Sequence, residues 1–184
     1  MKYPALLMLS LWLTLPTVHA YEKAYPKTAV GKIELKTLPS SRLIASESQS
    51  GYFEDDNGLF RPLFRYISRN DIAMTTPVEA EMMPGTMYFY IGADAADREL
   101  ESTGEVHVLE IAERTVASIG VRGSYSKKNF EAARIKLEAW LEKHPTHRAE
   151  GAARGVFWNS PFMPGFLKRF EVHLTVVERE TDDG

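Results

Sequence analysis

The chain has 184 residues, 44% hydrophobic and 26% charged, with 22 Lys and Arg against 25 Asp and Glu for a net charge of −3. That is the composition of one globular domain with an ordinary core, and the acidic balance argues against a nucleic-acid-binding surface. The chain contains no cysteine, which excludes disulfides, thiol nucleophiles, thiolate metal sites, covalent CxxCH haem attachment and a lipid anchor on cysteine.

Residues 1–20 read as a secretory signal peptide. Lys2 gives a positive start, Ala5 to Leu15 is almost wholly apolar, and Val18-His19-Ala20 leaves small residues before a cleavage site. The expected mature chain is therefore Tyr21 to Gly184, a single exported domain in the periplasm or beyond it. No later segment approaches the roughly 20 apolar residues of a membrane span, so no membrane anchor is expected.

Beyond the signal segment the pattern repeats. The alternating run KIELKTL (Lys32 to Leu38) leads into RLIASESQSG (Arg42 to Gly51), and EVHVLEIAE (Glu105 to Glu113) leads into RTVASIGVRG (Arg114 to Gly123). Both copies carry Arg-x-x-Ala-Ser-x-x-x-x-Gly, and each is followed by a helical pattern, which marks an internal duplication.

The first helix is expected from about Gly58, capped by Asp55, Asp56 or Asn57, with Pro62 tolerated near the first turn. Its apolar face would be Phe60, Leu63, Phe64 and Ile67, and Arg61, Arg65 and Arg69 would line another. Met74 to Pro77 then closes the helix and turns the chain into a strand in which Val78, Ala80 and Met82 share one face. A second strand follows at Thr86 to Gly92, and the polar segment ADAADRELESTG forms a surface linker.

In the second half the helix spans about Lys127 to Lys143, burying Phe130, Ala133, Leu137, Trp140 and Leu141. Arg134 and Glu138 form a surface pair, and His144 and His147 sit at the helix end, where positive charge is favoured. Strands follow at Ala153 to Asn159 and Arg169 to Glu178. Two strand-strand-helix-strand-strand halves, about 32–92 and 105–178, predict an α+β domain: a twisted antiparallel sheet or distorted barrel flanked by two helices.

Catalytic signatures are absent: there is no GxSxG elbow, HExxH, P-loop or dinucleotide fingerprint. No enzyme, catalytic residue or metal site is expected. Core packing accounts for Met74, Met82, Met83, Met87 and Met163 better than a copper(I) site, since adjacent Met82 and Met83 face opposite ways on a strand. His107, in phase with Leu109 and Ile111, would be an inward-facing core histidine, and His173 would lie on the more polar face of the last strand.

The first helix offers the binding hypothesis. Phe60 and Phe64 beside Arg61 and Arg65 would suit a flat apolar molecule carrying carboxylates, the ring on the phenyl groups and the acids in the guanidinium forks. The same pattern also describes an ordinary amphipathic helix with a solvated basic face.

Two motifs add to this. IAMTTPV (Ile72 to Val78) resembles the most recognisable motif of the SOUL haem-binding proteins, and FWNSPFMPGFLKRFEV (Phe157 to Val172) is similar to their second, a Pro-containing loop leading into the last long strand. The resemblance covers Lys32 to Glu178 and implies a single SOUL-like domain over 21–184 that binds haem or a related tetrapyrrole non-covalently. It places the cleft between the first helix and the loop before the last strand, lined here by Phe60, Phe64, Arg65, Ile67, Phe162 and Met163. Family members proposed to ligate iron through histidine carry it in the first strand, where this chain reads IELKTL. Phe170 also stands where the family usually has Asn. The function expected is an exported carrier, buffer or sensor; the alternatives are a domain for a protein or another apolar ligand that has lost haem, and a hydrolase using a pocket carboxylate or serine.

Overall fold

The computed structural model describes residues 22–54 and 58–179. The capping positions Asp55 to Asn57 and the signal segment lie outside the described residues. The elements in chain order are β1 (Glu22–Lys23), β2 (Ile33–Leu38), β3 (Ser41–Glu47), α1 (Phe60–Arg69), β4 (Thr75–Thr76), β5 (Val78–Met82), β6 (Gly85–Tyr90), β7 (His107–Ile111), β8 (Arg114–Arg122), α2 (Lys127–Glu142), β9 (His147–Ala149), β10 (Arg154–Phe157) and β11 (Arg169–Glu178), with a 3-10 turn at Gly165–Leu167.

One curled sheet runs β2-β8-β11-β10-β5-β6-β3-β7, with β9 added on β11, and every pairing within it is antiparallel. Both duplicated halves are present, and they are interlocked: β2 of the first half pairs with β8 of the second, and β7 of the second pairs with β3 of the first. The connections Pro39-Ser40 and Ala112-Glu113 are too short for a crossover. Each first strand therefore leaves its own half and completes the other. The seam between halves is the β5–β10 ladder, in which Val156 faces Glu79 and Arg154 faces Glu81.

Both helices cover the same side of the sheet. α2 buries Phe130, Ala133, Leu137 and Leu141 on Ala117, Ile119, Val172, Leu174 and Val176. Its start follows from Ser126, whose side chain accepts from Asn129 N, and Arg134 pairs with Glu131 and Glu138 along its outer face. Its C-terminal carbonyls are met by Arg179, which donates to Leu141 O and His144 O, and not by the side chains of His144 and His147 expected there. α1 packs on Ile44, Met87 and Phe89, but through Leu63, Tyr66 and Ile67; Phe60 and Phe64 stay half exposed. The expected apolar face is therefore rotated, with Tyr66 in the core and the two phenylalanines at its rim. Pro62 falls in the first turn, where an N–H has no intrahelical partner.

The opposite side of the sheet is closed by the N-terminal segment. β1 pairs in parallel with β4, Val30 bridges Gly120, and between them Tyr25 is buried among Tyr88, Tyr90, Val116, Val156 and Trp158, and Thr28 is buried beside Ser118 and Glu171. Among the described residues, the three core clusters draw on positions from 24 to 176.

The segment can lie this close because Gly120 has no side chain. A Cβ there would stand 2.6 Å from the Thr28 carbonyl oxygen and nearer still to that of Ala29. Gly120→Ala is expected to lift the N-terminal segment and to cost about 1–3 kcal/mol, read as a lower urea midpoint together with faster proteolysis between Glu22 and Val30.

Candidate functional site

On α1 the outward residues form one surface. Phe60 and Phe64 stack with centroids 5.6 Å apart and planes inclined by 17°, and Phe60 meets Phe89 of β6 edge-on at 5.5 Å. That contact fixes the pair's orientation while leaving phenyl area open to solvent. Arg61 and Arg65 form the next i,i+4 column of the helix and are exposed; Arg65 reaches Glu105 at 3.6 Å, while Arg61 has no ion pair among the described residues.

Two grooves border the helix. One, of about 490 Å³, is lined by Gly58, Leu59, Phe60, Arg61, Pro62, Arg65 and Glu105. The other, of about 530 Å³, runs between Arg65, Tyr66 and Arg69 and the loop 99–106. That loop belongs to the expected linker, whose Ala95 and Leu100 are buried under α1. Phe60, Arg61 and Arg65 line the first of these grooves, and Phe64 joins them through its stack on Phe60 without lining either groove.

Ile67 is turned into the core, 4% exposed, and presents nothing to this surface. Phe162 and Met163 lie on the β10–β11 loop, which is anchored to the β8–α2 connection by Gly123 N to Lys168 O and Tyr125 Oη to Arg169 O. Neither α1 groove includes them.

The surface suits a planar apolar ring bearing acids: π faces for the ring, guanidinium donors for carboxylates. α1 carries no His or Met.

A second cluster, missed in the sequence, fills the side of the sheet opposite the helices. Glu79 on β5 and Glu171 on β11 are 1% exposed. Glu79 Oε1 accepts from Tyr25 Oη at 2.6 Å and Tyr90 Oη at 2.5 Å, while Arg114 lies 3.1 Å from Oε2. Burial acts to raise its carboxyl, but Arg114 and the two phenols outweigh it and hold the group below the usual range. Glu171 accepts from Thr28 N at 2.8 Å, Trp158 Nε1 at 2.7 Å, Ser118 Oγ at 3.0 Å, Lys36 Nζ at 2.6 Å and His173 Nε2 at 2.8 Å. Burial again acts upward, yet the hydrogen bond from His173 and the Lys36 charge bring the carboxyl down to about 2.

His173 is itself buried, contrary to its expected place on the polar face, and burial holds its imidazole below the ordinary range. His107, expected inward, is exposed. His173 and Ser118 both bond to Glu171, so the imidazole is not spent on activating the hydroxyl. This is a charge-balanced core sealed by Tyr25. The pairing of the strands brings Glu79 and Glu171 onto one face with Tyr88, Tyr90 and Trp158, a grouping that the alternation within each strand does not show.

Two outcomes follow from the cluster. Glu79→Gln strands the Arg114 charge and should cost about 3–5 kcal/mol, largely recovered in Glu79→Gln/Arg114→Met, as measured by denaturant unfolding. Folded-state pKa values below the unfolded ones stabilise above the unfolded pKa and lose that stabilisation on acidification. The melting temperature should therefore fall first below about pH 6.5, as His173 is protonated on unfolding, and again below about pH 4.3 through the carboxylates. His173→Gln should abolish the first stage.

Comparison with known proteins fits this architecture. The C-terminal domain of EcmrR superposes with a TM-score of 0.64 at 13% identity, covering 80% of this chain and 98% of that one. EcmrR in its DNA complex gives 0.63 at 13% identity, covering 79% of this chain and 57% of that one. A hydrolase from Listeria innocua gives 0.55 at 11% identity, covering 82% and 94%. At these identities the likeness is one of fold. No curated protein matches the sequence. Residues 20–175 match the SOUL heme-binding protein family, and the chain belongs to it.

Proposed function

We propose that the protein is exported and binds haem or a related tetrapyrrole reversibly, as a carrier or buffer rather than a catalyst. The observation that carries this reading is the stacked, half-exposed Phe60–Phe64 pair on the same helix as the exposed Arg61 and Arg65, each arginine one residue after a phenylalanine. A tetrapyrrole ring would lie on the phenyl faces, and burying that area against an apolar ring gives about 25 cal/mol per Å². Its propionates would meet Arg61 and draw Arg65 away from Glu105, exchanging a surface ion pair of little worth for one beside an apolar ring. Phe162 and Met163 contribute only if the β10–β11 loop moves toward α1. Because the ring and its acids are the features read, the metal-free porphyrin should bind as the iron form does.

The test is a haemin titration of residues 21–184 followed at the Soret band, with protoporphyrin IX in parallel. Both should saturate at one site. Arg61→Glu/Arg65→Glu should weaken each by about tenfold or more, and Phe60→Ala/Phe64→Ala by a similar factor. Absence of saturation above an unrelated control protein, or wild-type affinity in the charge-reversed variant, would remove the haem reading. Export is checked by the N-terminus of the secreted protein, expected at Tyr21.

A further inference from the structure

The β10–β11 loop presents large apolar side chains to solvent and holds them there. Phe162 is 95% exposed, Phe166 72% and Leu167 47%. The loop is not loose: Met163 N donates to Ser160 O, Leu167 N to Pro164 O, and Lys168 Nζ to Pro161 O at 2.7 Å. Asn159 N donates to Tyr125 Oη at 2.8 Å, and Gly165 packs directly on Ser124. The backbone is satisfied locally, so the rings point outward because the turn is built that way.

The surroundings of this loop are cationic in a chain whose net charge is −3. Residues 114–130 and 152–170 contain no Asp or Glu, and the β8–β11 ladder brings the two stretches together. Arg122 lies directly opposite Arg169 in that ladder, a like-charge pairing that costs stability unless an anion meets it. Lys127 and Lys128 occupy the first turn of α2, the end of a helix at which cations are disfavoured. None of these four makes an ion pair among the described residues, and all are exposed. Lys27, over the Trp158 ring, is held below the ordinary ammonium range by partial burial and then by Lys23 and Arg169.

We infer that the β10–β11 loop and its cationic rim are a peripheral docking surface for anionic phospholipid. Protruding phenylalanines enter the headgroup boundary while Arg and Lys around them stay at the phosphate level. The exposure of Phe162, Phe166 and Leu167 favours a bilayer interface, which accepts side chains without a matching cavity; an acidic protein would need a pocket for them. The inference is independent of what binds on α1.

The experiment is sedimentation of residues 21–184 with vesicles of phosphatidylcholine alone and of phosphatidylcholine mixed with phosphatidylglycerol. Binding is expected to the mixed vesicles only, and to weaken as salt shortens the range of the charges. Phe166→Ser/Leu167→Ser should lower the affinity about tenfold. Arg122→Glu should lower it by a similar factor with no loss of melting temperature, because it turns the Arg122–Arg169 repulsion into attraction. Equal binding to neutral vesicles, no binding to either kind, or wild-type affinity in Arg122→Glu would overturn the proposal. So would uptake of soluble polyglutamate without uptake of anionic vesicles.

Discussion

Two carboxylates in the middle of a sheet impose the constraint on which this structure turns. An ionised group out of water must be paired and hydrogen-bonded or it neutralises. Glu79 and Glu171 meet that requirement with groups drawn from the whole chain: Tyr25 and Thr28 from the N-terminal segment, Lys36 from β2, Arg114 and Ser118 from β8, Tyr90 from β6, Trp158 beyond β10 and His173 from β11. The strand exchange between halves and the closing of the sheet by Tyr25 are thereby tied to one charge balance. Removing one contributor leaves the others mismatched, whereas well-packed apolar replacements could substitute for the set. The cluster therefore specifies the arrangement more than it adds to total stability.

The duplication shows the same constraint applied unevenly. Arg42 and Arg114 occupy corresponding places in the two copies of the repeat. Arg114 reaches inward to Glu79, but Arg42 donates to the carbonyls of Ala96 and Arg98 and pairs with Glu110. One copy serves the interior charge cluster, and the other ties down the linker that forms the far wall of the α1 groove. Symmetric strands thus carry asymmetric chemistry, with the aromatic and arginine surface in the first half and the exposed loop in the second.

Strand and helix positions were legible because period-two and 3.6-residue patterns are strong in this chain; β11 falls where alternation places it, and α2 begins at the expected Lys127. Two kinds of residue were not legible. Glu79, Glu171 and His173 alternate with apolar residues, and alternation ordinarily assigns such positions to solvent. Here the sheet curls and is covered on both sides, so alternation separates two interiors. Tyr25 gave no signal, since a single aromatic in a short irregular segment has no period. On α1, periodicity found the Phe60, Arg61, Phe64 and Arg65 surface but placed its apolar stripe a step away, because Leu63, Tyr66 and Ile67 fit the core equally well by spacing. The exchange of first strands depends on pairing partners far apart in sequence, which no local pattern encodes.

That both faces of the sheet are filled decides where a ligand can act. On one side the helices bury the apolar residues; on the other, both oxygens of each carboxylate are engaged and Tyr25 occupies the centre. A ligand entering there would have to displace Tyr25 and replace its hydrogen bond to Glu79, an exchange that costs more than a surface contact returns. The exposed aromatics are different. Phe60 and Phe64 are half exposed beside cations, and Phe162 and Phe166 are more exposed still, beside cations that repel one another. Exposed apolar area of that kind lowers the solubility of the free protein, and only Phe60 among these rings also touches a core ring, that of Phe89. What they share, apolar area within reach of positive charge, is the chemistry of a partner that is itself apolar and acidic, and the structure offers it on the outside of a closed fold.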